Sequence, residues 1–511
     1  MSSHRIEHAL IQQADQNPQR TAVVAGADSF TYVEVWQQAR HMAARLQRAG
    51  ITPGDRVAIY LDKTPTSVAA LYGGWLAGAI VVPINATLRS PQVRHILSDS
   101  GAAVIVSRRS LLRRGAQEAV SDITVVDVDD APHPGVDPAD ASGASDALAV
   151  AQPDLSGGDT PAAILYTSGS TGQPKGILIA HDNLVAGARI VSTYLRIRAD
   201  DRLLSVVPFN FDYGLNQLLV AFREGSALVL QRSTLPADIC RTLVDAEVSV
   251  MAAVPPLWVQ LMTERSPFSQ TPFPKLRLLT STGGVFPRAL IEKYRRRLPD
   301  AELIIMYGLS EAFRSTYLPF DQIDARPGSM GHAIPETEIY VVDDDGRAVE
   351  AGEMGELVHA GPTVALGYWQ NDQATEEKFR PHPFDPNAPR VVYSGDLVKA
   401  DADGFFYFVS RRDAMLKTHG FRVSPEEVET ALLASGLLEE VVVHGVPDPV
   451  AGQALVAHVV PNDPGAFAEK ALFGYCRQHM PRYMIPARVI VHASLPRTST
   501  GKIDRARVAE A

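Results

Sequence analysis

The residues best suited to chemistry lie at 166–176, which read YTSGSTGQPKG. Thr167, Ser168, Ser170 and Thr171 bring hydroxyls, and Lys175 brings a positive charge. Gly169 and Gly172 let the backbone adopt positive φ and approach a ligand closely. Hydroxyls, backbone N–H groups and a lysine together suit the oxygens of a phosphate chain. The segment follows an apolar strand pattern at 162–165 and precedes a helical pattern, which the sequence predicts to start at Asp182 as N-cap. That strand–loop–helix setting favours a ligand loop over a merely solvated one. The loop is not a P-loop, which needs Gly-x-x-x-x-Gly-Lys followed by Ser or Thr. Here Pro174 precedes the lysine and Gly176 follows it. No Gly-x-Gly-x-x-Gly fingerprint opens the early strands either. P-loop kinases and dinucleotide-dependent enzymes are therefore disfavoured.

Five more segments carry chemistry-bearing types: Thr282-Gly283-Gly284, Tyr307-Gly308-Leu309-Ser310-Glu311, Tyr393-Ser394-Gly395-Asp396, residues 411–423, and Pro496 to Lys502 (PRTSTGK). Taken with YTSGSTGQPKG, their types and order resemble the ANL adenylate-forming enzymes: acyl-CoA synthetases, adenylation domains of nonribosomal peptide synthesis, and beetle luciferases. The resemblance spans almost the whole chain. It implies ATP and Mg²⁺, activation of a carboxylic acid as an acyl-adenylate, and transfer to a phosphopantetheine thiol.

Within that resemblance each residue has a physical job. Gly283 and Gly284 clear space for an adenine ring, and Tyr307 can stack on it. Gly308 and Ser310 complete the nucleotide-binding set with the loop 167–172 and Lys175. Glu311 is a hard oxygen ligand for Mg²⁺, with Thr167 as a second implied ligand. Asp396 can accept both ribose hydroxyls, and Arg411 is an implied nucleotide contact. Lys502 is the implied catalytic cation, acting where charge builds on the α-phosphate. Asp413 matches the hinge of the family's mobile C-terminal domain, and the loop around Gly420 faces the thiol arm. Ser410 stands where a glycine is usual, and His419 where a serine is common.

The acid should meet residues 208–214, PFNFDYG. Phe211-Asp212 resembles amino-acid adenylation domains, where the aspartate pairs with the substrate ammonium. A buried carboxylate needs such a partner or hydrogen bonds. A loop aspartate held by backbone N–H groups is the plain alternative. Arg314 can select a second carboxylate or polar oxygen, or can serve a structural ion pair. Tyr213, Asn216 and Met306 are further candidate pocket residues. The expected substrate is an amino acid or similarly small polar acid. The acceptor is the thiol of a separate carrier protein, since no carrier domain follows Lys502 before Ala511; free coenzyme A with a fatty or aryl acid is the alternative.

These residues need a framework, and the pattern supplies one. Helical patterns alternate with short β-branched runs: a helix over 32–49, a strand over 56–60, a helix over 66–77, a strand over 80–82, a helix over 91–98 and a strand over 103–106. The rhythm recurs from 203 to 306, and it reads as parallel sheet layered with helices. Residues 129–159 are rich in Asp, Ala, Pro and Gly and read as a surface connection. Short strands with turn signals at 328–408 predict a β-rich subdomain. The last hundred or so residues read as a small α+β domain. The predicted class is α/β, with a large domain at 1–410 and a small mobile one at 411–511.

A chain of 511 residues is too long for one core. Its formal net charge of -10 argues against a general nucleic-acid partner. Cys240 and Cys476 are the only cysteines, far apart, with no metal or disulfide spacing, so a reducing cytoplasm is expected. The apolar run at 68–84 is too short for a membrane span and reads as a buried helix turning into a buried strand.

Overall fold

The computed structural model describes residues 4–130, 159–168, 174–284, 286–418, 421–448, 452–480, 482–498 and 501–510. Gly169, Ser170, Thr171, Gly172, His419 and Gly420 lie outside these, as does most of the predicted 129–159 connection. Contacts group the chain into two units: residues 1–338 with 359–392, and residues 339–358 with 393–511.

The first unit holds two sheets. One has a parallel centre in the order Thr21–Ala25, Ala227–Leu230, Arg202–Ser205, Val250–Ala253, Leu278–Ser281, Glu302–Tyr307. Antiparallel strands Thr316–Leu318 and Ser329–Ala333 extend it beyond Glu302–Tyr307. The other has the order Gly367–Tyr368, Pro174–Ala180, Pro161–Ser168, Ile80–Ile84, Arg56–Tyr60, Val104–Ser107, Thr124–Asp127. Pro174–Ala180 pairs antiparallel with both of its neighbours, Gly367–Tyr368 and Pro161–Ser168; from Pro161–Ser168 onward all pairs are parallel.

The alternating pattern maps onto these elements closely. Helices Tyr32–Arg48, Pro65–Leu76 and Ser90–Ser100 fall where predicted. Helix Pro65–Leu76 is almost wholly buried and leads into the buried strand Ile80–Ile84, as the apolar run implied. Parallel strands covered on both faces need such continuous apolar runs. One boundary moves. The helix after the phosphate-type loop is His181–Tyr194 with Ala180 as N-cap, so Asp182 is its second residue. The cap is supplied instead by Asn183, whose Oδ1 accepts the Ala180 N–H at 2.9 Å. Asp182 still suits the first turn of a helix by its charge, and it pairs with His4 at 3.0 Å.

The second unit takes most of strands Glu338–Val342, Met354–Ala360, Val391–Ala400 and Phe406–Arg411; the rest of the predicted β-rich stretch, residues 328–338 and 359–392 with helix Asp372–Lys378, belongs to the first unit. The C-terminal part of the second unit pairs Leu438–Asp448 antiparallel with Gly452–Pro461, which pairs parallel with Arg488–Val491. Helices Pro425–Leu433 and Glu469–His479 pack on this sheet through Val428, Leu432, Leu472 and Cys476. Residues 339–358 join this unit through strand pairing, in the order Glu338–Val342, Met354–Ala360, Val391–Ala400, and ion pairs add to it. Arg412 pairs with Asp344 at 2.6 Å and with Glu356 at 3.1 Å.

Candidate functional site

In the first unit the strand hairpin sets Thr167 directly opposite Lys175. Tyr166 ties the hairpin to helix Ser90–Ser100, its hydroxyl donating to Asp99 Oδ2 at 2.5 Å. Strand Gly367–Tyr368 is added at the hairpin's edge, its Tyr368 in register with Ile177. Lys175 Nζ then lies 5.6 Å from the centroid of the Tyr368 ring. The Tyr368 hydroxyl donates to Glu311 Oε1 at 2.5 Å. One tyrosine therefore joins the lysine of the phosphate-type loop to the predicted magnesium ligand. A carboxylate oxygen that accepts one hydrogen bond keeps lone pairs for a hard cation, so this donor set fits Mg²⁺ beside phosphate. Among the described residues no cluster of three or more His, Cys, Asp or Glu side chains is placed to hold a metal.

Sequence reading missed Tyr368. Its signal was the Gly-Tyr-Trp run at 367–369, and only the added strand shows its relation to Glu311.

Gly283 has φ +84, a conformation that favours glycine. A Cβ on Gly284 would meet only Pro255, at an ordinary 3.5 Å, so protein packing alone does not demand glycine there. Gly308 is different. A Cβ there would come within 2.9 Å of the Phe313 carbonyl oxygen and 3.0 Å of Arg314 Cα, so its glycine serves close backbone packing. Tyr307 ends strand Glu302–Tyr307, and Ser310 follows in the turn to Glu311.

That turn has a strained backbone. Phe313, 1% exposed, has φ 62. A bulky residue in this region is an outlier and costs of order 1–3 kcal/mol. Gly187 makes room for its ring, since a Cβ on Gly187 would sit 2.7 Å from Phe313 Cδ1. At Arg314, which follows, the backbone carries a guanidinium into the interior, leaving the residue 1% exposed. Arg314 Nη1 donates to Asp212 Oδ2 at 3.1 Å and also to the Phe313 carbonyl oxygen. Its guanidinium carbon lies 4.8 Å from the centroid of the Tyr213 ring.

Asp212 opens helix Asp212–Glu224, with Phe211 as N-cap. It is 5% exposed, and its Oδ1 accepts the Tyr213 N–H at 2.7 Å. The carboxylate thus has partners from the protein itself, a buried arginine and a helix N-terminus. Asn216, one helical turn on, is buried too. Tyr213 bonds Thr280 Oγ1 at 2.6 Å, and burial pushes its phenol well above the usual range. Met306 Sδ lies 2.9 Å from the Tyr194 hydroxyl. The structure thereby joins Asp212, Tyr213 and Arg314 in direct contact.

A cavity of about 500 Å³ adjoins the start of the same segment, lined by Pro208, Phe209, Asn210, Lys63, Gln231 and Arg232 among others. Lys63 Nζ donates to the carbonyls of Ser205 at 2.8 Å and Val207 at 2.6 Å, and burial holds its pKa well below the usual lysine value.

In the second unit Asp396 and Arg411 face each other across an antiparallel pair. Arg411 Nε lies 3.0 Å from Asp396 Oδ1, with Asp396 buried. Asp413 lies in the 3-10 turn Arg412–Ala414. Lys502 sits in a turn closed by the Thr498 N–H to Lys502 carbonyl bond at 2.7 Å. The turn is anchored on both sides. Arg497 pairs with Glu440, and Arg505 forms a two-pronged bond to Glu429 at 2.7 and 2.6 Å. Ile503 packs against Val442, Val460, Leu495 and Val508.

Comparison with known proteins agrees with this arrangement. A family model described as AMP-binding enzyme matches residues 10–369, and one described as AMP-binding enzyme C-terminal domain matches residues 427–502. Feruloyl-CoA synthase of Amycolatopsis sp is 30% identical over 501 residues, covering 98% of this chain and 97% of that protein. A linear gramicidin synthase of Brevibacillus parabrevis is 28% identical over 503 residues, 98% of this chain; the chain spans only 6% of that relative. The solved structure of ATP-bound MatB from Rhodopseudomonas palustris aligns with TM-score 0.87 and 26% identity, covering 99% of this chain and 98% of that one. The o-succinylbenzoate CoA synthetase of Bacillus subtilis, solved with its acyl-adenylate intermediate, aligns with TM-score 0.83 and 26% identity, each chain covered to 98%. The chain belongs to the AMP-binding, adenylate-forming enzymes and is an ATP-dependent, acid-activating ligase.

Proposed function

We propose that this enzyme activates a small polar carboxylic acid, with amino acids in that class, and passes the acyl group to the phosphopantetheine thiol of a carrier protein. The observation that carries the substrate reading is the buried Arg314–Asp212 pair at the segment assigned to the acid. A site made for an alkyl chain gains nothing from a buried ion pair and bears its desolvation cost.

ATP, with Mg²⁺, would supply the phosphoanhydride whose α-phosphorus the acid carboxylate attacks, pyrophosphate leaving as the acyl-adenylate forms and AMP leaving when the thiol takes the acyl group. The chain's own residues then have separable tasks. Lys175, with the hydroxyls and glycines of its loop, orients phosphate oxygens. Glu311, steadied by Tyr368, holds the cation, with Thr167 beside the loop as its second ligand. Gly283 and Gly284 leave room for the base, and Tyr307 stacks on it. Asp396 and Arg411 hold the ribose and nucleotide. Lys502 stabilises the charge gathering on the α-phosphate and the acid oxygen. Asp413 is the hinge about which the C-terminal residues reposition before the thiol attacks.

Free coenzyme A is the second reading of the acceptor. It is favoured by relatives of this chain's own length, feruloyl-CoA synthase and a long-chain-fatty-acid–CoA ligase of Salmonella typhimurium, the latter 31% identical over 537 residues. Supplying the enzyme with ATP, an acid pool and either phosphopantetheinylated carrier proteins or coenzyme A, then weighing the thioesters by mass spectrometry, tests both halves. A thioester of a small polar acid on a carrier supports the proposal. Products confined to long-chain acyl-CoA contradict it.

A further inference from the structure

The guanidinium of Arg314 is used on one edge only. Nη1 serves Asp212 and the Phe313 carbonyl. Nε and Nη2 are buried and have no hydrogen-bond partner among the described residues. These two nitrogens form the other edge of the planar group, where two N–H bonds point in parallel. A buried donor left without an acceptor destabilises the folded protein, more so when it is charged. Here two such donors coincide on a residue that is 1% exposed and reached through a strained backbone at Phe313. Asn216 Nδ2, on the helix that carries Asp212, is a third buried donor without a partner among the described residues.

We infer that this edge of Arg314 reads the far end of the substrate, and that the acid carries a second carboxylate. The inference rests on the small-polar-acid reading above. Parallel N–H bonds match the two oxygens of a carboxylate, whereas a lone carbonyl or hydroxyl fills one and strands the other. Asp212 does not cancel the guanidinium for this purpose. It touches Nη1 alone, and its charge is shared with the N-terminus of its own helix through the Tyr213 N–H. Asp212 is then the residue that fixes the arginine, and Arg314 is the one that selects.

ATP–pyrophosphate exchange on chain-length-matched acids tests this. The series compares straight-chain diacids of four to six carbons with their mono-amides, their methyl-ended counterparts and free amino acids. The expected result is a kcat/KM for the best diacid at least ~100-fold above its methyl-ended partner, the scale at which a polar site rejects an analogue lacking the group it binds. Arg314→Lys keeps the charge but loses the fork. It should raise KM for the diacid ~10-fold or more, a distinctly larger rise than for the methyl-ended acid. The double variant Arg314→Met/Asp212→Asn guards against a folding failure, since it leaves no unpaired charge, and it should invert the preference. A wild-type preference for amino acids or amides overturns the second carboxylate and leaves the small-polar-acid reading standing; a preference for methyl-ended acids overturns both. A variant that slows all acids equally also overturns the second carboxylate. Exchange with long-chain acids alone overturns both.

Discussion

Tyr368 donates a 2.5 Å hydrogen bond to Glu311, and the same ring lies 5.6 Å from Lys175 Nζ. The tyrosine comes from a two-residue strand laid on the edge of the hairpin that carries the phosphate-type loop. Its position couples the geometry of the proposed metal ligand to the geometry of the loop. Ligand positioning of this kind is usually held by a hydrogen-bonded outer partner.

Tyr368→Phe removes only that hydroxyl. A hydrogen bond to a charged group is worth about 1.5–3 kcal/mol, so the rate of adenylation should fall at least ~10-fold. The ring and its contact with Lys175 remain, so the unfolding midpoint should fall by no more than the loss of that one bond. Raising Mg²⁺ should recover part of the loss. Steady-state exchange across a magnesium titration reads both effects, and an unaltered rate and magnesium dependence would remove Tyr368 from the site.

Lys502→Ala should lose most adenylation, on the order of 10²–10³-fold, the scale of one oxyanion-stabilising donor. The turn keeps its anchors in the variant, Arg497 with Glu440 and Arg505 with Glu429, so the protein should fold. Pyrophosphate exchange at the wild-type rate would show that the lysine is not catalytic.

Asp212→Ala leaves a buried guanidinium without its counter-charge. Breaking such a pair costs about 3–5 kcal/mol, and urea unfolding should register it. Replacing both members, as in Arg314→Met/Asp212→Asn, should cost distinctly less. Equal losses in the single and double variants would show that the two residues do not act as a pair.

Stability should also depend on acid in a defined window. His359 is fully buried between Ser315 Oγ at 2.9 Å and Thr363 Oγ1 at 3.1 Å, and burial pushes its pKa down to about 3. The unfolded histidine titrates near 6.5. Between these values the unfolded chain binds a proton that the folded chain refuses. The stabilisation is therefore complete above about pH 6.5 and is lost as pH falls toward 3, by at most about 1.4 kcal/mol per pH unit. His181, whose pKa burial also lowers to about 3, acts in the same sense. Urea midpoints between about pH 7 and pH 5 should decline, and His359→Gln should flatten the decline. A slope unchanged by that substitution would assign the acid sensitivity elsewhere.

The layered α/β architecture was legible because its signals are local. Strand Arg56–Tyr60 and helix Tyr32–Arg48 follow from apolar periodicity and from the Thr31 and Glu34 cap. Relations across the chain were not. Asp212 and Arg314 are 102 positions apart, and nothing in either neighbourhood says that one is the other's partner. The aspartate read alone invites a substrate ammonium; read with the arginine, it has a counter-ion already. Tyr368 was overlooked for a similar reason, since its Gly-Tyr-Trp context looks like an ordinary strand end until it is paired with Ile177. The grouping of residues 339–358 with the C-terminal unit follows from strand Met354–Ala360 lying beside Val391–Ala400, a pairing between distant segments that no local pattern encodes; Arg412 with Asp344 and Glu356 adds to it.

The preference we propose for this adenylate-forming site is a small polar acid. Its most direct test is ATP–pyrophosphate exchange measured side by side on amino acids, small hydroxy- and dicarboxylic acids, aryl acids and long-chain fatty acids. Mg²⁺-dependent exchange is expected with a small polar acid, at least ~100-fold above fatty and aryl acids in kcat/KM. Preferred exchange with a fatty or aryl acid would contradict it.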